Sequence, residues 1–195
     1  IAAFAITVAD DGSGMDADGL RNALRLAYSQ KEGKLGEFGL GLKTACTSLG
    51  HQFEVTTSRA GHKKMYRIRY DEDEWTRSGE DQWLLPLEKE DKADPRGHGT
   101  KVTVRRLKVK TTALVTRLRN DLSQRFAPYI GSGDVEIRVN TKKCAPAKVE
   151  LLAGTKKDFE ILVRGERIWG WYGLLEKGSQ RGLYGFHTYR RGRMI

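Results

Sequence analysis

The stretch Asp10-Asp11-Gly12-Ser13-Gly14-Met15 directly follows an apolar run over residues 1–9. In that run large apolar residues alternate with small ones, which predicts a buried β-strand. Glycines at positions 12 and 14 let the backbone turn with positive φ and approach a flat ligand closely. A carboxylate at the tip of the strand, at Asp10, can accept a hydrogen bond from an exocyclic amine, which favours adenine over guanine. Taken alone the stretch is a weak indication, because the same pattern is also an ordinary turn.

A second glycine-rich stretch, Gly36-Glu37-Phe38-Gly39-Leu40-Gly41-Leu42-Lys43-Thr44, leads directly into a predicted helix over residues 40–49. Unpaired amides at a helix start, together with the helix dipole, favour phosphate oxygens, and Lys43 adds a mobile positive charge. Tight helix packing is the alternative reason for these glycines. Leu42 separates the last glycine from the lysine, which excludes the phosphate loop of P-loop NTPases. A dinucleotide fingerprint is excluded because these glycines do not follow the first strand.

Hydrophobic spacing predicts the remaining elements. Further helices are expected over 20–28 and 114–126, the latter with an apolar stripe, whereas 71–99 looks acidic and irregular. From about residue 130 the pattern becomes mostly strand-like, which predicts a domain boundary there. Strands are predicted over 53–58, 64–70, 100–107, 135–140, 159–163, 168–175 and 183–189, with a short one near 83–87.

Composition is typical of a soluble globular protein in the cytoplasm. The chain has 195 residues, with 38% hydrophobic and 31% charged residues. No apolar run approaches the ~20 residues that cross a bilayer. Two cysteines without metal-ligand spacing indicate neither a disulfide framework nor a zinc site. A net charge of +10 is compatible with nucleic acid, an acidic surface or nucleotide phosphates as partners, and equally with a solvated basic surface.

The order of the two glycine stretches, with one helix between them, resembles the second and third ATP-binding motifs of the GHKL superfamily. That superfamily includes gyrase B, histidine kinases, MutL and the ninety-kilodalton heat-shock chaperones. The stretch Gly99-Thr100-Lys101-Val102-Thr103-Val104 is similar to the strand that completes its adenine pocket, and residues 26–29, 36–44 and 185–195 are similar to the MORC-type branch. The resemblance implies an α+β, Bergerat-type sandwich over 1–130, with a mostly antiparallel sheet and helices on one face. A smaller α/β, transducer-like domain would start at 131–195.

The resemblance also implies roles for individual residues. Asp10 would hold the adenine amino group, Gly12 and Gly14 would shape the pocket, Met15 would pack against the base, and Thr100 would support Asp10 directly or through a water. Contact with the phosphates is implied for a second group of residues, whose glycines would present backbone amides. These residues are Gly36, Gly39, Leu40, Gly41, Leu42 and Lys43. Ser29 and Lys31 would lie in a lid that closes over the nucleotide, although a solvated loop is the alternative. Asp10 and the segment 36–41 are therefore expected to face one cavity.

One family motif has no counterpart in the chain. The family's first motif lies on a helix before the opening strand, where a glutamate activates water and an asparagine holds Mg²⁺. We therefore expect the general base upstream of Ile1, and we expect this chain to hydrolyse ATP poorly although its parent protein uses ATP and Mg²⁺. The transducer lysine of the family would correspond to Lys177 or Arg181, or would lie beyond Ile195.

The predicted function is an ATP-dependent switch in which nucleotide closes the lid and promotes homodimerisation, and the second domain transmits the change to a partner such as DNA. Arg190, Arg191 and Arg193 form a candidate nucleic-acid contact beside Tyr189. A solvated sheet edge is the alternative for this cluster. Two other functions stay open: a kinase-type domain that transfers phosphate to a protein histidine, and a chaperone-like or nucleic-acid-binding module with a degenerate nucleotide site.

Overall fold

The computed structural model describes residues 5–25, 28, 39–79, 85–111, 114–177, 184–190 and 192–195. The chain divides into two compact units, Ile1–Thr112 and Ala113–Ile195. This division falls before the helix at residue 114, whereas the sequence predicts a domain boundary near residue 130. The helix groups with the second unit by its contacts, whereas the predicted boundary rests on the change to a strand-like pattern after it. It stays a prediction that the first part binds ATP and that the second part transmits the effect of ATP binding.

The first unit is built on a five-stranded sheet in which every neighbouring pair is antiparallel. The spatial order is β1-β5-β2-β3-β4, so the last strand in sequence lies between the first and the second. This order brings the end of β1 beside the start of β5. The strands are β1 Ala5–Asp10, β2 Gly50–Ser58, β3 Lys64–Asp71, β4 Leu87–Asp91 and β5 Gly99–Leu107.

Two helices pack on one face of this sheet, α1 over Ala17–Leu24 and α2 over Gly41–Leu49. Their apolar side chains meet the inward-facing residues of the strands, which alternate along each strand. The buried cluster consists of Leu20, Leu24, Cys46, Phe53, Val55, Ile68 and Val104. The first unit therefore has the mixed α+β architecture, with an antiparallel sheet and helices, that is expected of a Bergerat-type fold.

Several predicted boundaries are wrong. The first helix was expected over 20–28, but it begins earlier because Asp16 caps it, its carboxylate accepting a 2.8 Å hydrogen bond from the Gly19 amide. The segment 71–99, expected to be irregular, contains a third helix, α3 Glu72–Ser78, and the strand β4. Asp71 caps α3 by accepting hydrogen bonds from two amides of the first turn. Antiparallel pairing with β3 shifts the fourth strand beyond the predicted 83–87.

In its described residues, the second unit contains two helices and three small two-stranded sheets. The helix predicted at 114–126 is present, but none of its residues is fully buried, and Leu118 on the predicted apolar stripe is 37% exposed. Within the described residues, the strands predicted over 135–140 and 183–189 are reduced to two-residue pairs. The elements are α4 Leu114–Arg125, α5 Ala127–Ser132, β6 Arg138–Val139, β7 Lys142–Lys143, β8 Lys157–Val163, β9 Glu166–Tyr172, β10 Tyr189–Arg190 and β11 Arg193–Met194.

A bilayer-spanning helix needs about 20 mostly apolar residues. In the described part of the chain, no helix meets both the length and the hydropathy that such a span requires.

Candidate functional site

Three polar side chains form a row across one end of the sheet. Asp10 at the end of β1 lies opposite Thr100 in β5, and Thr100 lies opposite Thr57 in β2. Residues directly opposite each other on neighbouring strands place their side chains on the same face. Thr57 shares its face with Phe53 and Val55 of the buried cluster, so the row lies on the face that carries the helices.

The two carboxylate oxygens of Asp10 have different surroundings. Oδ1 accepts hydrogen bonds from the backbone amides of Gly12, at 3.0 Å, and Thr100, at 3.1 Å. Oδ2 takes part in no hydrogen bond with any residue that the structure describes, and the residue is exposed. The backbone thus fixes the direction of the carboxylate through one oxygen, while the other oxygen remains available as an acceptor.

Two glycines allow the backbones around Asp10 to touch. Gly14 has a φ of +67°, and a Cβ there would lie 1.8 Å from the carbonyl oxygen of Ser58. Gly99 has a φ of +110°, and a Cβ there would lie 2.1 Å from the carbonyl oxygen of Asp10. The predicted positive φ is confirmed at Gly14 but is wrong at Gly12. Gly12 instead allows a close approach, since a Cβ there would lie 3.0 Å from Asp10 Oδ1.

The buried hydroxyl of Thr57 joins three segments of the chain. Its side chain is only 2% exposed, and Oγ1 accepts a 2.9 Å hydrogen bond from the Met15 amide. The same oxygen lies 3.1 Å from the Gly99 carbonyl oxygen and 3.1 Å from Thr100 Oγ1. Met15 itself packs against the apolar cluster. Thr57 therefore holds the turn after β1 against the start of β5.

Two further interactions tie the loops around this row together. His98 Nδ1 lies 2.8 Å from the Gly12 carbonyl oxygen, and because a carbonyl only accepts, the imidazole is the donor. Asp16 pairs with Arg59 at 3.0 Å. The Gly19 amide and, to a smaller degree, the Arg59 guanidinium lower the pKa of the Asp16 carboxyl. The turn that carries Asp10 is thus anchored on both sides.

The start of α2 presents amides without a side-chain cap. Leu40 occupies the N-cap position and makes no side-chain hydrogen bond to the helix, and no acidic residue lies in the first turn. The amides of the first turn of a helix have no acceptor within the helix, and the dipole makes this end positive. The space beside Gly41 is open, with no atom within 4 Å of the position where a Cβ would stand. This helix start can accept an anion.

The part of the sequence that forms these features is similar to a known protein family. The model of a family described as "Histidine kinase-, DNA gyrase B-, and HSP90-like ATPase" matches residues 2–100, just over half of the chain. The chain belongs to this ATPase family. The matched residues include the whole turn after β1, the start of α2 and Thr100, and they form a GHKL-type ATP-binding domain.

Two individual proteins are also similar to parts of the chain. Protein MICRORCHIDIA 3 of Arabidopsis thaliana is 40% identical over 67 residues, which is 33% of this chain and 11% of that protein. The ATP-binding domain of topoisomerase IV from Francisella tularensis, solved with a small-molecule inhibitor, matches with a TM-score of 0.39 and 21% identity. That match covers 62% of this chain and 34% of the other. The chain thus spans about a tenth of the MICRORCHIDIA protein.

The predicted ATP-binding residues of this GHKL domain lie in two described groups. Asp10, Gly12, Gly14, Met15 and Thr100 come together around the tip of β1. Gly39, Leu40, Gly41, Leu42 and Lys43 lie at or just before the start of α2. Ser29, Lys31 and Gly36 lie outside the described residues. That both groups face one cavity, and that they contact nucleotide, stay predictions.

The structure changes what is expected of Lys43. Its side chain is 3% exposed, and Nζ donates hydrogen bonds to the carbonyl oxygens of Ala23, at 3.2 Å, and Arg25. Burial lowers the pKa of this ammonium group. The predicted mobile positive charge is therefore wrong, because the ammonium group satisfies carbonyls at the end of α1. Lys43 fastens the end of α1 to the start of α2.

The other residues of this segment differ in their surroundings. Leu42 packs against the apolar cluster, whereas Leu40 is 48% exposed. Gly39 has a φ of +61°, and a Cβ there would lie 2.0 Å from the carbonyl oxygen of Tyr28. Gly39 thus lets two backbones meet just before α2, which is a structural requirement for glycine independent of any ligand.

Sequence reasoning missed Thr57 and His98. Thr57 could have been found from the sequence, because it follows Phe53 and Val55 on the inward-facing side of β2. A hydroxyl at such a buried position needs a hydrogen-bond partner. His98 could not have been found in this way, since its contact with Gly12 joins residues far apart in sequence. Both residues act on the backbone around Asp10.

The remaining predicted groups show less organisation. Among the described residues, no three His, Cys, Asp or Glu side chains are grouped so that they could hold a metal ion. Arg190 and Arg193 are exposed on β10 and β11, and the Arg193 guanidinium lies 5.9 Å from the centre of the Phe126 ring. Arg191 and Arg181 lie outside the described residues, and Lys177 is exposed. Nucleic-acid contact by these arginines stays a prediction.

Proposed function

We propose that the chain binds ATP at the strand ends that carry Asp10 and Thr100 and at the start of α2, as the nucleotide-dependent part of a conformational switch. The observation that carries the proposal is the state of the Asp10 carboxylate. Its Oδ1 is held by two backbone amides, and its Oδ2 is left as an acceptor at an exposed strand end. An acceptor oriented before the ligand arrives binds without a further ordering cost.

The free oxygen of Asp10 favours adenine on electrostatic grounds. The 6-amino group of adenine donates hydrogen bonds, so it complements a carboxylate oxygen. Guanine has a carbonyl oxygen at the same position, which would meet Oδ2 as a second acceptor. A site that is built to pair with a donor rejects a ligand that lacks it, because a polar group is left unpaired.

The phosphates would be held by the uncapped start of α2. Its first-turn amides and the positive end of its dipole favour negative charge, and the open space at Gly41 lets an oxygen approach the backbone. Lys43 contributes by holding this helix start against the end of α1. It acts through position and not through contact with a phosphate.

Mg²⁺ is generally expected in this ATPase family, and it would offset negative charge on the phosphates. Among the described residues, no three His, Cys, Asp or Glu side chains are grouped so that they could hold this ion. From the resemblance of the chain to the family, we propose that the residues that hold the ion, and the carboxylate that activates water, lie outside the described residues. Hydrolysis is proposed for the whole protein, of which this chain supplies base recognition and phosphate contacts.

A DNA-related role with nucleotide-driven dimerisation is the finer part of the proposal. It is supported by the net charge of +10, which attracts polyanions, and by the likeness to a family that includes DNA gyrase B. A basic surface binds DNA with a strong salt dependence, since each neutralised phosphate releases counterions. The exposed Arg190 and Arg193 are the arginines that we would test first.

Isothermal titration calorimetry with a non-hydrolysable ATP analogue tests the nucleotide site directly. We expect saturable binding of one nucleotide per chain and much weaker binding of the corresponding GTP analogue. Absence of ATP binding, or equal affinity for both, would overturn the proposal. Sedimentation velocity with and without the analogue tests dimerisation. Transfer of phosphate from ATP to a histidine of a protein substrate would favour the kinase function instead.

DNA binding is measured separately, as affinity for duplex DNA over a series of salt concentrations. We expect the affinity to fall steeply with salt, and we expect a shallower slope in the double variant Arg190→Ala/Arg193→Ala. An affinity that does not change with salt would remove the electrostatic argument for a DNA partner while leaving the nucleotide site intact.

A further inference from the structure

We propose that Thr57, which does not reach the ligand, determines the base selectivity of this site by turning the Thr100 hydroxyl into an acceptor. The inference rests on the proposed nucleotide site and adds a positioning residue to it. It starts from the three contacts of Thr57 Oγ1, with the Met15 amide, the Gly99 carbonyl oxygen and Thr100 Oγ1.

The protons in this cluster can be assigned from chemistry alone. A threonine hydroxyl has one proton to donate and two lone pairs. The Met15 amide is a donor, so it occupies one lone pair of Thr57 Oγ1. The Gly99 carbonyl oxygen only accepts, and it lies 3.1 Å from Thr57 Oγ1. If Thr57 gave its proton to Thr100 instead, two acceptor oxygens would face each other 3.1 Å apart at a side chain that is 2% exposed.

Such an unpaired arrangement of buried acceptors is unfavourable. Thr57 therefore donates to Gly99, and its second lone pair accepts the proton of Thr100. Every hydrogen-bonding capacity of the Thr57 hydroxyl is then used. The proton of Thr100 points toward Thr57, away from Asp10, and only lone pairs of Thr100 Oγ1 remain for other contacts.

The consequence concerns the polarity of the base pocket. Asp10 Oδ2 is an acceptor, and the Thr100 hydroxyl beside it in the row is held as a second acceptor. A base edge with an amino group complements both. The inference places both acceptors around the 6-position of the base, where the carbonyl oxygen of a 6-oxopurine would meet two acceptors. The Thr100 hydroxyl could not turn to donate to that oxygen without leaving Thr57.

The test compares ATP with inosine triphosphate, which differs from it by a carbonyl oxygen and a ring N–H at the same edge of the base. Equilibrium affinities of both are measured for the wild type and for Thr57→Val, which removes Oγ1 at nearly constant shape. Without Thr57 Oγ1, the Thr100 hydroxyl is free to donate, so we expect the selectivity for ATP to fall by about tenfold, the effect of one hydrogen bond. Thr57→Ser keeps the hydroxyl and should restore the selectivity.

Thr103→Val is the matched control. Thr103 is also a buried threonine of this sheet, 5% exposed, and its hydroxyl lies 3.4 Å from that of Thr7 on the opposite face. It should leave the selectivity unchanged. Thr57→Ala removes the same oxygen without adding a methyl group and is measured in parallel. Equal loss of affinity for both nucleotides in the Thr57 variants would show a merely structural role and would overturn the proposal.

The proton arrangement is also tested on the unaltered protein by NMR. We expect a coupling across the hydrogen bond from the Thr57 hydroxyl proton to the Gly99 carbonyl carbon. A Thr57 hydroxyl proton directed at Thr100 would contradict the inference even if every variant failed to fold. A wild type that binds neither nucleotide would instead refute the proposed function, and the NMR result would still decide the arrangement of protons.

Discussion

The backbone amide of Thr100 donates a 3.1 Å hydrogen bond to Oδ1 of Asp10, across a sequence separation of 90 residues. The bond exists because β5 pairs with β1 in a register that sets these two residues opposite each other. It orients the carboxylate through the backbone of the protein itself. The strand pairing that stabilises the sheet thus also prepares the acceptor to which we assign adenine recognition.

Replacing Asp10 by asparagine tests that assignment. The amide oxygen of Asn can keep the hydrogen bonds from Gly12 and Thr100, but its NH₂ group then stands where Oδ2 was. A donor would face the adenine amino group, and we expect the Kd for an ATP analogue to rise by about 30-fold or more. Calorimetry measures the loss. Asp11→Asn is the control, since it removes a neighbouring carboxylate of the same turn and should bind the analogue normally.

Substituting Gly14 by alanine tests the close contact between the turn and β2. A Cβ at Gly14 would lie 1.8 Å from the Ser58 carbonyl oxygen, so backbone must move. We expect a loss of more than about 3 kcal/mol in the free energy of unfolding, measured with urea. Gly61→Ala has a similar φ, +75°, but open space around it, so it should cost only about 1 kcal/mol. Equal losses of unfolding free energy in the two variants would show that the strain of a positive φ, and not the contact with Ser58, explains the effect at Gly14.

Replacing Lys43 by methionine separates the structural role of this lysine from a role in phosphate binding. Methionine keeps the length of the side chain but leaves the Ala23 and Arg25 carbonyls without their donor. We expect roughly 2–4 kcal/mol of destabilisation in urea unfolding. Lys63→Met, at an exposed loop position, should unfold like the wild type. A Lys43→Met protein of normal stability that has lost ATP binding would instead identify Lys43 as a direct phosphate contact.

Alkaline pH should weaken the fold through Cys46. Burial raises the pKa of its thiol from 9.0 to about 11. Below pH 9 the thiol is protonated in both states. Between pH 9 and 11 the unfolded chain loses the proton first, so stability falls as the pH rises, by at most about 1.4 kcal/mol per pH unit.

Urea unfolding of the wild type and of Cys46→Ala across this range isolates the effect, because all other groups titrate in both proteins. The difference in stability between them should shrink toward pH 11. Cys144→Ala retains Cys46 and should follow the wild type. A difference that is constant with pH would show that the Cys46 thiol is not shielded from water.

His98 should support the nucleotide site indirectly, because it contacts the turn after β1 and not Asp10 or Thr100. Its hydrogen bond to the Gly12 carbonyl oxygen holds the turn that carries Asp10. We expect His98→Ala to raise the Kd for an ATP analogue by up to about tenfold, the effect of one hydrogen bond. His62→Ala removes an exposed histidine of a neighbouring loop and serves as the control. An unchanged Kd in His98→Ala would show that the hydrogen bond from His98 to Gly12 does not contribute to nucleotide binding.

Local patterns predicted the strands that line the site. The alternation before Asp10 predicted the strand β1 but wrongly predicted its burial, since Val8 is 64% exposed. The alternations at 53–58 and 100–107 predicted most of β2 and β5. These predictions succeed because side-chain direction along a strand has a period of two residues that is visible in one short segment. The two-residue sheets of the second unit could not be predicted, since they lack an apolar repeat.

The α+β class, the glycine turn after β1 and membership of the ATPase family could be predicted from local sequence, because each depends on residues close together in the chain. The packing of the folded chain was needed to show that Thr57 joins Met15 to Thr100, and that Lys43 is buried against the end of α1. Thr57 and Met15 are 42 residues apart, and Thr100 and Asp10 are 90 apart. Hydrogen bonds act over about 3 Å, so these partners meet only when β5 is inserted between β1 and β2.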